Sequence, residues 1–167
     1  MKVETFNFSD GVSEPAVLPT ELDSAETLVL AFGASSMLDD PRLISASVAK
    51  FPNSKVIGCS TAGEILGEII SDDGLSVAVL KFEKSCLDMA WAPVEHSEDS
   101  FTAGERIAEA LDRPTLRGII VLSDGLNVNG SRLVASINSV VAPTVIVTGG
   151  LAGDKANFER TWVLHDG

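Results

Sequence analysis

Three segments of this chain run from an apolar stretch straight into small and polar residues, and these are where chemistry could sit. They are Val56-Ile57-Gly58-Cys59-Ser60-Thr61-Ala62-Gly63-Glu64, Val121-Leu122-Ser123-Asp124-Gly125 and Val147-Thr148-Gly149-Gly150-Leu151-Ala152-Gly153-Asp154. Ligands of α/β proteins bind most often at the carboxyl ends of strands. Glycine lets a backbone come close to a ligand, while hydroxyls, carboxylates and exposed N–H groups hold polar substituents. One such segment alone is commonly a tight turn; three in one chain point to a pocket. Polar contacts are expected from Ser60, Thr61, Ser123, Asp124, Asn129 and Asp154. Gly63, Gly149, Gly150 and Gly153 would admit close backbone approach, and Cys59, Glu64 and Gly125 complete the candidate set.

Other chemistries fit less well. Cys59 could be a nucleophile if a helix N-terminus or a cation lowered its pKa, but a cysteine on a strand end is more often buried and inert. The only histidines, His96 and His165, lie in no partner motif, so no catalytic triad can be read. Gly58-Cys59-Ser60-Thr61-Ala62 is not a nucleophile elbow, since its fifth residue is wrong. The stretch from Gly125 to Arg132 has two glycines five apart, yet Ser131 stands where a phosphate-binding lysine belongs. That stretch reads as a capped loop, with Asn127 or Asn129 bonded to backbone near a helix start. Glu64, Glu68, Asp72 and Asp73 match no calcium loop, and no metal site is expected. Trp91 and Trp162 read as packing residues rather than a stacking platform.

The elements that would position these residues follow from periodicity. Val3–Phe8 and Thr27–Phe32 read as strands, the second a continuous apolar run of the buried kind. Asp40-Pro41 opens a helix with Leu43, Ile44, Val48 and Phe51 on one face, stopped by Pro52. Lys55–Cys59 is the next strand, and Ile65–Ile70 is ambiguous between strand and helical turn. Asp72-Asp73-Gly74 is a turn. Leu75–Phe82 and Cys86–Val94 read as a β-hairpin joined by Glu83-Lys84-Ser85. Ser97 caps a helix that carries Phe101, Ile107, Ala108 and Leu111 on one face. Arg117–Leu122 is a strand, and a helix from about Ser131 carries Leu133, Val134, Ile137, Val140 and Val141. Thr144–Thr148 and Thr161–Leu164 are the last strands. The expected fold is α/β: a mixed β-sheet flanked by helices, with a β-hairpin between βα units.

Composition bounds the function. The chain has 167 residues, with 24 acidic against 12 basic side chains and a net charge of −12. That balance argues against nucleic acid and against an anionic membrane surface. Apolar residues make up 45%, enough for a core. Residues 9–26 carry Pro15, Pro19 and several acids and read as a solvated lead-in. Two cysteines are too few for a disulfide framework, no signal-peptide pattern opens the chain and no apolar run could span a membrane, so a cytoplasmic location is expected.

At the same three segments the chain resembles a known family. Gly58-Cys59-Ser60-Thr61-Ala62-Gly63-Glu64-Ile65, Ser123-Asp124-Gly125 with Asn129-Gly130, and Gly149-Gly150-Leu151-Ala152-Gly153-Asp154 with Phe158 and Thr161 look like the motifs of FIST-domain proteins. The resemblance is to the N-terminal FIST module and spans nearly the whole chain. It implies one sensory domain over 1–167, with the C-terminal FIST module that usually follows left out. It implies a signal-transduction role and a small-molecule ligand, with amino acids as candidates. The implied output partners are histidine-kinase, methyl-accepting or diguanylate-cyclase modules. Some members of the family are described as haem-containing nitric-oxide sensors that work with a kinase. Haem is therefore the alternative cofactor, held noncovalently by a histidine. A Cys- or Ser-dependent hydrolase is the weakest reading.

Overall fold

The computed structural model describes residues 1–9, 12–14, 17–66 and 68–166. They form two compact units, Met1–Leu87 together with the stretch from Gly153 onward, and Asp88–Ala152. The first unit begins with β1 (Lys2–Ser9), β2 (Val12–Glu14), β3 (Thr27–Ala34), α1 (Arg42–Val48), β4 (Lys55–Thr61), β5 (Glu64–Leu66), β6 (Ile69–Ser71) and β7 (Leu75–Lys81). The second holds α2 (Ser100–Leu111), β8 (Gly118–Ser123), α3 (Gly130–Val140) and β9 (Ile146–Leu151). The chain then returns to the first unit with β10 (Val163–His165). The fold class is α/β with a mixed sheet.

The sheet of the first unit has the order β10-β4-β3-β7-β1-β2. β3 and β4 are parallel and every other pairing is antiparallel. Its centre is the continuous apolar run 27–34, as expected of a strand buried on both faces. Register decides which residues share a face. Phe6 lies opposite Val77, and Val77 opposite Ala31, so all three point the same way. They meet Ile44 and Val48 of α1, and Phe51 just beyond it, in one core. Phe6 and Phe51 stack with ring centroids 6.3 Å apart. Burying a side chain of that size contributes about 1.5–3 kcal/mol. At the start of α1, Asp40 accepts from the Arg42 N–H at 3.3 Å.

The stretch before β3 is less solvated than its composition suggests. Leu22 is in the core, and the Asp23 carboxylate accepts from the Asn53 side chain at 2.8 Å and the Ser54 hydroxyl at 2.6 Å. The approaches to β3 and β4 are thereby tied together. Asp10, Gly11, Pro15 and Ala16 of that lead-in lie outside the described residues.

In the second unit β8 and β9 pair in parallel, with α3 as the crossover between them. One face of the pair carries a core of Ala103, Ala108, Leu111, Ile119, Leu133, Ile137, Val141 and Val145. Ile120 and Ile146 alternate away from that core and are exposed.

Two expectations need correction. Cys86–Val94 forms no strand, so the hairpin with Leu75–Phe82 is absent. Its alternate residues Ala90, Ala92 and Val94 do pack on the second unit's core, but without a ladder. Alanine favours strands poorly, and Pro93 removes a donor that a ladder would need. β5 and β6 do pair as a hairpin, with Ile65 opposite Ile70 in the stretch whose pattern is ambiguous. The strand expected at Thr144–Thr148 begins instead at Ile146 and continues through both glycines to Leu151. Among the described residues, no helix is long and apolar enough to cross a membrane.

Candidate functional site

The candidate residues divide between the two units. Cys59, Ser60, Thr61, Gly63, Glu64, Gly153 and Asp154 belong to the first, at the carboxyl ends of β3 and β4. Ser123, Asp124, Gly125, Asn129, Gly149 and Gly150 belong to the second, at the carboxyl ends of β8 and β9.

In the first unit most of the polar atoms are committed to the fold. Ser60 is fully buried. Its hydroxyl accepts from the Trp162 N–H at 3.1 Å, its own N–H donates to the Trp162 carbonyl at 3.0 Å, and its carbonyl accepts from the Gly153 N–H at 2.8 Å. Trp162 in turn donates from Nε1 to the Ala34 carbonyl at 3.0 Å. The Thr61 hydroxyl donates to Glu64 Oε1 at 2.7 Å, and the Gly74 N–H reaches Oε2 at 3.3 Å. Glu64 is 2% exposed, and burial pushes its carboxyl above the usual range. Gly63 borders the Asp72 side chain. Burial likewise pushes the Cys59 thiol up to about 11. Almost none of it is thiolate at neutral pH, which makes it a poor nucleophile.

Asp154 organises the loop that follows it. Its carboxylate accepts from the Ser35 hydroxyl, from the Glu159 and Arg160 N–H groups at 3.1 and 3.0 Å, and from the Asn157 side chain at 3.4 Å. The Arg160 guanidinium makes a two-pronged pair with Asp39, both contacts 2.6 Å. Lys155 and Phe158 sit at φ of 51° and 55°, a backbone region bulky residues avoid, and these bonds hold them there. The Ser35 hydroxyl, helped by the two backbone N–H groups, brings the Asp154 carboxyl down to about 2 from 3.8. A folded-state pKa below the unfolded value gives stability that is present above about pH 4 and lost as pH falls toward 2. Asp154→Asn is therefore expected to lose part of the acid sensitivity of the first unit over that window. Urea midpoints of both proteins from pH 5 down to 2 check this, and parallel curves would refute it.

In the second unit the candidates converge on one end of the parallel pair. Ser123 lies opposite Leu151, and Leu122 opposite Gly150. The Ser123 carbonyl accepts from the Ala152 N–H at 2.8 Å, and Gly125 packs on the Ala152 carbonyl. Asp124 Oδ1 accepts from the Leu126 and Asn127 N–H groups, at 2.7 and 2.5 Å, which fixes the turn out of β8. Asn129 caps α3: its side-chain oxygen accepts from the Arg132 N–H at 3.1 Å, and its own N–H donates to the Ser100 hydroxyl at 2.9 Å. Gly149 is needed by the fold, since its φ is 145° and a Cβ there would lie 1.8 Å from the Val121 carbonyl oxygen. Gly150 is different: a Cβ added to it meets nothing within 4 Å.

Ser35, Gly74, Ser100 and Arg160 complete these arrangements and carried no motif in the sequence. His96 and His165 are both exposed, His96 leading into α2 and His165 on the edge strand β10. Such histidines do not fit an axial ligand, which needs an apolar pocket around the iron. No cluster of three or more His, Cys, Asp or Glu suited to a metal occurs among the described residues. A shallow groove of about 450 Å³, lined by Val48, Phe51, Asn53, Lys55, Val56 and Asp166 among others, contains none of the candidate residues.

A search of curated proteins and of solved structures returns no significant match. A family model does match, that of the FIST N domain, over residues 27–167. That span takes in every candidate residue above, and the chain belongs to the FIST N domain family, a family of signal-transduction sensory domains.

Proposed function

We propose that the chain is a ligand-binding module and not an enzyme, and that it senses a small polar metabolite such as an amino acid. The ligand sits at the carboxyl ends of β8 and β9. The observation that carries this reading is the open space beside Gly150 near the carboxyl end of β9, across the pair from the end of β8 that runs into the Asp124 turn. A ligand carboxylate would take exposed backbone N–H groups at this strand end. A ligand ammonium would pair with Asp124. Ser123 and Asn129 supply the remaining polar edges. Signalling requires that the ligand bind two conformations unequally, and the output is read by a kinase, methyl-accepting or cyclase module. The free cysteines Cys59 and Cys86 suit the reducing cytoplasm.

Gly150→Val tests the site, because it fills the space without disturbing a neighbour. In a thermal-shift screen of amino acids, a ligand at a hundredfold excess over Kd should stabilise the wild type by about 2.7 kcal/mol. The variant should keep its unliganded stability within about 0.5 kcal/mol and lose that shift. A hit that survives unchanged in Gly150→Val would reject this location.

A further inference from the structure

Phe158 breaks two ordinary rules at once. It is 76% exposed, and its backbone is held at φ 55°, where a bulky residue is strained. A loop free to relax would leave that region, and a ring that served the core would be buried. The loop is not free. From within, the Asp154 carboxylate holds the Ser35 hydroxyl and the N–H groups of Glu159 and Arg160. From outside, Arg160 is tied to Asp39 at 2.6 Å and Lys155 to Asp73 at 3.4 Å. These bonds keep an aromatic ring out in solvent in one position. Strain of this kind collects at clamps and binding sites, and a ring already fixed loses little freedom when it docks.

The two outer ties lead to more apolar surface. Leu38, 46% exposed, precedes Asp39, and Ile70, 73% exposed, stands three residues before Asp73. Apolar residues exposed singly carry no message. Here the ion pairs bring the segments of Leu38 and Ile70 to the loop of Phe158. Both cations of that loop are paired, so the surplus charge, from Asp72 and Glu159, is negative, in keeping with a net charge of −12.

We propose that Phe158 anchors a protein-docking surface on the first unit, and that its occupant is a basic amphipathic helix. The helix offers an apolar stripe to Phe158, Leu38 and Ile70 and places Lys or Arg on its flanks, against the acids. Such helices read as apolar anchors one turn apart. The buried ring supplies most of the affinity, and the rim charges steer the encounter and set the partner. The same acids repel an anionic membrane surface and a second copy of this acidic chain. Docking here requires no ligand beside Gly150.

The test uses the full chain and a labelled synthetic helix of about 18 residues, five turns, with Leu on one face and Lys on the other. A Leu–Glu helix of the same pattern is the control, and fluorescence anisotropy reads binding. Phe158→Asn removes the ring and suits the positive φ, so its urea midpoint should not fall. The Leu–Lys helix should bind Phe158→Asn about thirtyfold more weakly than the wild type. Binding to the wild type should weaken as salt rises. Equal binding to the two proteins overturns the proposal, and so does a Leu–Glu helix that binds the wild type as well as the Leu–Lys helix. No binding of the Leu–Lys helix at about 1 mM overturns it too. A lower urea midpoint in Phe158→Asn would assign the ring to the fold instead. Sedimentation that shows self-association lost in Phe158→Asn would make a second copy the occupant. Phe158-dependent binding to phosphatidylcholine vesicles would make it a lipid surface, and either result overturns the basic helix.

Discussion

Gly149→Ala should disrupt the strand pair of the second unit, at a cost on the order of 4 kcal/mol or more. The Cβ would stand 1.8 Å from the Val121 oxygen and 2.9 Å from the Val121 nitrogen, on the residue directly across the ladder. Both are backbone atoms, so no rotamer change relieves the clash. The φ of 145° adds strain that only glycine avoids. Gly150→Ala, one residue on, meets nothing and should stay within about 0.5 kcal/mol of the wild type. Urea unfolding followed by circular dichroism and by hydrogen exchange at β8 and β9 separates the two. Equal behaviour of the two variants would show that the close approach at Gly149 does not exist in solution.

Trp162→Ala should weaken the first unit by about 3–5 kcal/mol through lost packing. A further 1–3 kcal/mol or so comes from the buried Ala34 carbonyl, left without its Nε1 donor. Trp162→Phe keeps most of the ring and loses the bond, so it should fall between the two. Fluorescence reads the result cleanly, since Trp91 is 63% exposed and Trp162 only 8%. The blue-shifted part of the wild-type emission should vanish in both variants. A Trp162→Ala protein with an unchanged urea midpoint would contradict the packing described above.

Much of the architecture can be read locally. The apolar run at 27–32 becomes the central strand, and the helix spacing from Leu133 to Val141 becomes α3, because burial on one face or two leaves a period in the chain. The segment 86–94 misleads for the same reason. Alternation records which residues face a core, and Ala90, Ala92 and Val94 do face one, but it does not record whether a ladder partner exists. The site is legible only in part. Asn129 as a helix cap follows from its neighbours in sequence. The commitments of Ser60 and Asp154 do not, since their partners Trp162 and Ser35 lie 102 and 119 residues away. Small polar residues at strand ends look alike whether they hold a ligand or another part of the chain.

The first unit is written in two pieces, 1–87 and from 153 onward, with the second unit inserted between them. During synthesis the second unit is contiguous and can fold as soon as it leaves the ribosome. The first cannot finish, because β4 waits for β10 and Ser60 waits for Trp162. At about 5–20 residues per second, the insertion alone imposes a delay of several seconds. Through that interval the outer edge of β4 and the place of Trp162 in the core stand open. A nascent-chain chaperone therefore has a defined window in which to act, and a synonymous change that slows translation across 88–152 would lengthen it without altering a single residue.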